Sequence, residues 1–434
     1  MTRSLYDLDA GQLEALVAEA GEPPYRARQL VHWLDGRRQP DPRAMTNLPR
    51  SLRARLSERF AGAGLVLDQH QTGDDGWTHK FLFRLPGGDA VESVLMLYPP
   101  AGSSPDEDWE GGRPEGWGSG GLKVRPPGGW GSGGLKVRPP EGWGSGGLKV
   151  RPPEGRGRAT VCISSQAGCA MGCTFCATGQ FGFTRHLSAG EIVEQVARVS
   201  TLLPELRPGP AALDHLTNVV FMGMGEPFAN QEATWGAAYR LHHGFGLSAR
   251  AITISTVGLV PGIRRAAAEP LPVNLAVSIH AADDATRDRL VPVNRTWPIA
   301  ELLDAVRDYV TATRRRVSFE YALMDGVNDD LEQAGRLGRL LAPLRVPGSG
   351  GHAAHVNLIP YNPTPGISFA PPSKAAVRRF RDTVAASGVP VSVRANRGVG
   401  IAAACGQLRT TAGRPGRRVL PLAEGPGADS GETR

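Results

Sequence analysis

Cys169, Cys173 and Cys176 stand in the run Cys-Ala-Met-Gly-Cys-Thr-Phe-Cys, a CxxxCxxC spacing with an aromatic residue just before the last thiol. Three thiolates this close can hold three corners of a four-iron cluster and leave the fourth iron without a protein ligand. An open iron binds a small molecule, so the spacing points to catalysis rather than electron storage. A competing reading adds Cys162 to make a closed four-thiolate zinc site. Zinc sites usually pair CxxC with CxxC, however, and Cys162 falls on an expected strand, seven residues upstream of Cys169.

The elements that must position these thiols follow from periodicity. From residue 158 onward strands and helices alternate. Expected strands are 160–165, 218–222, 252–255, 273–278, 317–323, 355–359 and 389–393, each apolar and bounded by turn residues. Amphipathic helices fit between them, among them 192–199 behind a Ser188/Glu191 capping box, 299–309 and 331–341. This βα repetition implies a parallel sheet forming a full or partial barrel, an α/β fold. Parallel β/α barrels gather their active sites at the C-terminal rim of the strands.

The polar residues of note fall at that rim. The cysteine loop follows the first strand, and Gly223-Met-Gly225-Glu226-Pro follows the second. Ser255 ends the third, Ser278 and His280 end the fourth, and Asn362 follows the sixth. Each has a plain reading: a Gly-Pro turn, a structural histidine, serines that cap the next helix, a turn asparagine. Five strand ends carrying such groups together argue for one pocket.

Residues 1–65 read as a separate small helical domain. Asp9 and Gln12 form a capping box before Leu13, Leu16 and Val17. Gly21 and Pro23 stop that helix, and Pro24 suits the first turn of the next. Arg26, Arg28, Arg37, Arg38, Arg50, Arg53 and Arg55 make the segment basic, either as a solvated helix face or as an RNA contact surface. Residues 66–100 form a strand-rich connector, with Phe81, Phe83 and Leu85 alternating before the apolar run 91–98. In 101–156, Trp117, Trp130 and Trp143 recur within near-copies of Gly-Trp-Gly-Ser-Gly-Gly-Leu-Lys-Val-Arg-Pro-Pro. Such Gly/Pro-rich copies bury too little to offset the entropy of ordering, so a flexible insertion is expected there. The main α/β unit then covers 157–410, and a disordered Gly/Pro/Arg-rich tail is expected over 411–434.

The chain has 434 residues, 41% of them hydrophobic and 21% charged, enough for two or three domains with a large core. The net charge of +7 suits a polyanionic partner, although each repeat adds a Lys and an Arg of its own. Five cysteines, clustered and odd in number, argue against a secreted disulfide scaffold. With no apolar signal core at the N-terminus and no stretch long enough to span a bilayer, a cytoplasmic protein with no membrane association is expected.

The residues also carry a resemblance. Cys169 to Cys176 resembles the radical S-adenosylmethionine signature. The wider set is similar to a narrower family, the bacterial dual-specificity RNA methyltransferases that make 2-methyladenosine in 23S rRNA and in certain tRNAs. That set comprises Cys162-Ile-Ser-Ser-Gln-Ala-Gly-Cys169, the 223–227 turn, Ser255-Thr-Val-Gly, Ser278-Ile-His280, Asn357-Leu-Ile-Pro-Tyr-Asn362 and Cys405-Gly-Gln-Leu. The match spans most of 1–410 outside the repeats. It implies a partial (β/α)6-type radical barrel and a [4Fe-4S] cluster on Cys169, Cys173 and Cys176, with S-adenosyl-L-methionine on the open iron. It implies that Gly225 and Glu226 hold the cofactor's amino group, and that Ser255, Ser278, His280 and Asn362 contact the rest. Cys405 would carry the methyl group, Cys162 would be its partner thiol, and Glu92 would be the proton acceptor. Adenine C2 is not nucleophilic, so polar methyl transfer fails. The implied route is a carbon radical generated on methylated Cys405, a covalent RNA–protein intermediate, and release through a Cys162–Cys405 disulfide that must then be reduced.

The resemblance further implies 23S rRNA and tRNA as partners, met by the basic N-terminal domain, and an electron donor such as flavodoxin with its reductase. Two departures stand out. The run Arg397-Gly-Val-Gly-Ile-Ala-Ala-Ala-Cys405 lacks the acidic side chains the family usually carries there, which predicts a less firmly held methyl-carrier loop. The repeat insertion separates Glu92 from Cys162, at small entropic cost if it bulges outward. Two other readings fit the same motifs: an adenine-C8 rRNA methylase of the antibiotic-resistance type, and a non-enzymatic RNA-binding metalloprotein.

Overall fold

A computed structural model describes residues 4–60, 64–74, 76–98, 157–206, 213, 215–394, 398–404 and 406–408. The repeats at 101–156, the tail after 408 and Cys405 itself lie outside the described residues.

Helices α1 (Ala10–Glu19), α2 (Tyr25–Val31) and α3 (Arg50–Arg59) form the N-terminal unit. The expected capping box is present: Gln12 N–H donates to Asp9 Oδ1 at 2.8 Å, and Asp9 N–H donates to Gln12 Oε1 at 3.1 Å. Leu13, Leu16, Leu30, Leu34, Leu52 and Leu56 fill the space between the helices. The arginines of this unit are not one free surface. Arg38 bonds Ser200 Oγ and the Phe245 carbonyl, while Arg53 and Arg55 bond backbone carbonyls within the unit. Arg28, Arg37 and Arg50 remain exposed.

Strands β1 (Val66–Thr72), β2 (Thr78–Arg84) and β3 (Ala90–Tyr98) form an antiparallel meander. It continues into β4 (Arg158–Cys162), followed by a hairpin of β5 (Gln166–Gly168) and β6 (Phe183–His186) around the short helix α4 (Ala177–Phe181). Helix α5 (Ala189–Leu206), β7 (Asn218–Phe221), α6 (Gln231–His243), β8 (Ile252–Thr256), α7 (Val260–Ala268) and β9 (Asn274–Ser278) follow. Then come α8 (Asp284–Leu290), α9 (Ile299–Thr313), β10 (Val317–Leu323), α10 (Leu331–Leu341), β11 (Ala354–Pro360), α11 (Lys374–Ala385) and β12 (Val391–Val393). The sheet order is β1-β2-β3-β4-β7-β8-β9-β10-β11-β12, with β4 and β7 to β12 mutually parallel. The parallel strands sit at the expected positions, and the order is linear, so the barrel is partial.

Parallel sheets covered on both faces usually read as continuous apolar runs. This one alternates instead. Val161, Val219, Phe221, Ile252, Ile254, Leu275, Val277, Phe319, Tyr321, Val356 and Leu358 are buried apolar residues of the main core. The alternate positions, among them Cys162, Ser255, Ser278, Glu320, Asn357, Ser392 and Arg394, belong to the opposite, inner face by the period of two. The register confirms it: Ser278 pairs with Glu320 and Glu320 with Asn357. A polar inner face is what an open barrel needs when it holds a solvated ligand.

The meander carries the same face outward. Lys80 pairs with Val94 and Val94 with Cys162; one row along, Leu82 pairs with Glu92. Directly opposed residues share a face, so Lys80, Leu82, Glu92, Val94 and Cys162 project to one side. Phe81 and Phe83, on the other side, are fully buried. The edge strand β1 is exposed along its whole length, and nothing in Val-Leu-Asp-Gln-His-Gln-Thr alternates with a core; its ladder to β2 holds it in place.

Candidate active site

The cysteine loop is set by two glycines at its base. Gly168 has φ +80°, and a Cβ there would lie 2.0 Å from the Gly182 carbonyl oxygen. That carbonyl accepts from Cys169 N–H at 2.9 Å, so the loop enters and leaves through one pinch. Thr174 N–H donates to the Leu290 carbonyl at 3.1 Å, and Cys176 N–H to the Cys173 carbonyl at 3.2 Å. Cys173 and Phe175 are buried in a small apolar cluster with Val257, Leu290, Val291, Ala322, Met324 and Tyr361. Burial pushes the Cys169 thiol up to about 12 and the Cys173 thiol well above its ordinary value, and the neighbouring thiols add to both shifts. Thiolates in such a place need a multivalent cation, which deprotonates coordinating thiols outright. Among the described residues no three His, Cys, Asp or Glu side chains converge to share one ion. A four-iron cluster would seat each thiolate on its own iron, and the three thiols stand in one loop at CxxxCxxC spacing.

The loop forms one wall of a cavity also lined by Gly225, Glu226, Ser255, Ser278, His280, Glu320, Asn362, Arg394, Gly406 and Leu408. Gly225, at φ +101°, lets the turn after β7 pass close to Gln166: a Cβ would lie 2.6 Å from the Gln166 Cβ. Gln166 Oε1 accepts from Glu226 N–H at 2.8 Å. The buried Glu226 carboxylate accepts from Phe228 N–H at 2.9 Å and Val257 N–H at 2.8 Å. Burial nonetheless raises its carboxyl to about 7, against those two bonds and the Thr256 hydroxyl. Two carboxylate oxygens offer about four acceptor positions, so with these three donors in place a position remains for a ligand donor. Ser255 and Ser278 do not cap the helices that follow them; Leu259 stands at the N-cap of α7 and Asp283 at that of α8. Buried Asn362 Oδ1 has no partner among the described residues, as expected of an acceptor awaiting a ligand. Acceptors at Glu226 and Asn362, with hydroxyl and imidazole groups between them, fit an amino acid joined to a nucleoside.

His280 lines that cavity with a fixed ring orientation. Its φ of +54° is unusual for a residue with a side chain. Its Nδ1 lies 3.0 Å from Ala322 N–H and accepts from it. In the neutral ring the proton then sits on Nε2, which acts as donor. Burial, with Arg287 nearby, pushes the imidazole down to about 3, so the ring stays neutral. Unfolded, it takes up a proton below its ordinary 6.5. The stability it contributes is therefore complete above that value and is lost as pH falls toward 3, at about 1.4 kcal/mol per pH unit. Urea unfolding at pH 7.0 and 5.5 should show the wild type losing about 1.4 kcal/mol more than His280→Asn across that interval. Equal losses would show that the imidazole is not held neutral.

Sequence reasoning missed the polar inner wall opposite the cysteines. Glu320 accepts from Ser318 Oγ at 2.8 Å and Asn357 Nδ2 at 2.9 Å, while Ser392 Oγ donates to Asn357 Oδ1 at 3.1 Å. Arg394 Nη1 stands 3.9 Å from Glu320 Oε2. The signal was a lone carboxylate inside the otherwise strand-like Val-Ser-Phe-Glu-Tyr-Ala-Leu.

Glu92 does not line this cavity. It lines a neighbouring one of about 280 Å³ with Gln69, Gln71, Lys80, Leu82, Gly400, Ile401 and Ala402. Cys162 lies on the same sheet face, diagonal to Glu92. Ser164 locks that end of β4: its hydroxyl donates to the Glu92 carbonyl at 2.6 Å and accepts from Met224 N–H at 2.9 Å. The segment directly after position 405 is tied to the helix that follows the three cysteines and to the turn after β11. Ala177 N–H donates to the Gly406 carbonyl at 2.8 Å, Thr178 Oγ1 to the Leu408 carbonyl at 2.6 Å, and Gln407 Nε2 to the Pro363 carbonyl at 2.7 Å. An acid also stands by the loop from elsewhere: a Cβ on Gly400 would lie 3.3 Å from Asp74 Oδ2. Residues 395–397 and Cys405 lie outside the described residues, so the expected looseness of the carrier cysteine is not tested by these contacts.

A partial α/β barrel with a three-cysteine loop at its rim defines a radical S-adenosylmethionine enzyme. The "Radical SAM superfamily" family model matches residues 163–337, and the "Ribosomal RNA large subunit methyltransferase N-terminal domain" model matches residues 3–61. The chain belongs to the RlmN family of radical S-adenosylmethionine RNA methyltransferases. It is 42% identical to a probable dual-specificity RNA methyltransferase RlmN of Roseiflexus castenholzii, over 93% of this chain and 95% of that one. It is 44% identical to the corresponding Chloroflexus aurantiacus protein, over 97% of this chain and 94% of that one. A crystal structure of a radical SAM methyltransferase from Sphaerobacter thermophilus is 43% identical, covering 94% of this chain and 99% of that one, with a TM-score of 0.74. Membership implies S-adenosylmethionine and a [4Fe-4S] cluster. Among the described residues no helix is long and apolar enough to cross a membrane.

Proposed function

We propose that this chain methylates C2 of adenosine in 23S rRNA and in tRNA through a methyl carrier on Cys405. The observation that carries the reading is the joining of the 406–408 segment to the helix directly after the three cysteines, beside the cavity of Glu226, His280 and Asn362.

Cys169, Cys173 and Cys176 would hold the cluster, which when loaded with S-adenosylmethionine supplies one-electron cleavage of a sulfonium bond. The remaining work falls to the chain's own residues. Gly225 lets the backbone approach the ligand, and Glu226 accepts from its amino group. Ser255, Ser278 and Asn362 orient the rest, while His280 donates through Nε2. Glu92, ionised, takes the proton from C2. The Cys162 thiolate attacks the Cys405 sulfur, the S–S bond forming as the bond from that sulfur to the methylene carbon breaks; the carbon keeps the electron pair and takes a proton, which frees the methylated RNA, and an external thiol then reduces the disulfide.

The 1–65 unit serves as an RNA-binding domain, with Arg28, Arg37 and Arg50 as its open cations. The strand-rich 66–100 segment brings Glu92 to the barrel of 157–410. An electron donor such as flavodoxin with its reductase feeds the cluster, in the cytoplasm.

Comparative mass spectrometry of rRNA and tRNA from cells with and without this protein tests the reading. Loss of 2-methyladenosine from both RNAs is the expected result. Methylation at C8 alone would overturn it in favour of the resistance-type methylase. A colourless zinc protein on anaerobic purification would overturn it in favour of an RNA-binding metalloprotein.

A further inference from the structure

Lys80 belongs to no motif and lies in the middle of a strand, yet it is largely buried. Its Nζ stands 3.2 Å from Glu92 Oε1, with 13% of the lysine side chain and 5% of the glutamate side chain exposed. The same Nζ reaches the Ala402 carbonyl at 3.5 Å, the outer limit of a hydrogen bond. Ala402 lies three residues before Cys405 and has φ +51°, a conformation that needs external support. Gly398, at the start of the same segment, packs so closely on β2 that a Cβ would lie 2.8 Å from Thr78 Cγ2. One ammonium therefore touches the carboxylate on the sheet and the loop that leads to the cysteine.

We propose that Lys80 is a positioning residue for the methyl-transfer step, holding Glu92 ionised and aimed while it clasps the loop before Cys405. The proposal rests on the reading of Glu92 as proton acceptor. Burial disfavours the charged form of a carboxylate, and the charged form is the one that accepts a proton. A cation alongside keeps it charged, and the buried stem of the lysine fixes where that charge sits. The tie to Ala402 makes the same residue report on the loop, so carboxylate and carrier move together. This also gives the Gly400-containing segment an anchor on β2 in place of acidic side chains of its own.

The test is single-turnover reaction of cluster-loaded enzyme with RNA, with denaturing gels to measure covalent RNA–protein adduct and mass spectrometry to measure free 2-methyladenosine. Hydrogen exchange of residues 398–404 is followed in parallel. Lys80→Met should cut free product about tenfold or more, accumulate adduct, retain S-adenosylmethionine cleavage, and speed exchange in 398–404. Lys80→Arg, which keeps the charge, should restore product to within about threefold. If Lys80→Met does not fold, Lys80→Gln gives the same readouts. Glu92→Gln is the control. If it traps adduct and the Lys80 variants release product normally, the proposal is wrong while the role of Glu92 stands. If Glu92→Gln releases product normally, the reading of Glu92 is wrong and the proposal falls with it. Unchanged exchange in 398–404 would remove the clasp, and loss of cofactor cleavage together with product would make Lys80 merely structural.

Discussion

Cys162→Ala should leave the substrate RNA joined to the protein. Cys162 closes β4 at the inner face, buried between Val94 on one side and Val220 on the other. Replacing it with alanine removes one buried sulfur, a loss of about 1 kcal/mol that the strand pairing on both sides should tolerate. Nothing in the cavity of the three cysteines changes, because Cys162 is not among its walls. The steps up to formation of the adduct should therefore proceed. Release should be the step that fails, since among the described residues no other thiol stands on that sheet face. On a denaturing gel most of the protein that has reacted should run as an RNA conjugate sensitive to ribonuclease. Free 2-methyladenosine should fall on the order of 100-fold or more, as when one member of a cooperating set is removed. Free product at the normal yield would dismiss Cys162 as the resolving thiol and leave it a buried apolar residue.

The parallel strands were legible because their apolar runs are bounded by turns and separated by amphipathic helices. The rim residues were legible because polar groups at strand ends are conspicuous. The capping boxes of α1 and α5 could be read directly, and both form; Glu191 N–H donates to Ser188 Oγ at 3.1 Å and Ser188 N–H to Glu191 Oε2 at 2.9 Å. Three features were not legible, each for a physical reason. Strand β1 has no buried side, so no alternation marks it. The β5–β6 hairpin is held by the Gly168–Gly182 pinch, and a close backbone approach has no apolar signature. Lys80 reads as the polar position of an alternating strand, facing water; only the register with β3 and the return of residues 400–402 turn that face into an interior one. Sequence pattern gives which residues share a face, and long-range contacts decide what covers it.

The same distinction governs how the N-terminal unit is fixed to the barrel, and it predicts the largest change in stability. Arg240 on α6 is 8% exposed and Asp35 is 5% exposed. Arg240 Nε donates to Asp35 Oδ1 at 3.0 Å, and Nη1 donates to the carbonyls of Tyr6 at 2.7 Å and Leu8 at 3.0 Å. The guanidinium also lies 4.8 Å from the Tyr6 ring centroid. Burial raises the Asp35 carboxyl even against the pull of Arg240, so this aspartate tolerates the interior only in company. A Cβ on Gly244 would lie 2.8 Å from Asp35 Cγ, so the carboxylate has no room to turn away. Arg240→Met should therefore destabilise the protein by about 3–5 kcal/mol, the usual penalty for stranding one member of a buried ion pair. Asp35→Leu combined with Arg240→Met removes both charges and should recover much of that loss, since a buried pair adds little over apolar packing. Denaturant unfolding of the two variants measures the difference. An Arg240→Met protein within 1 kcal/mol of wild type would mean that the contact does not hold the helical unit in place. If the pair does hold it, the single variant should also lose affinity for RNA before it loses S-adenosylmethionine cleavage, because the cations of the N-terminal unit would no longer be presented in fixed relation to the rim.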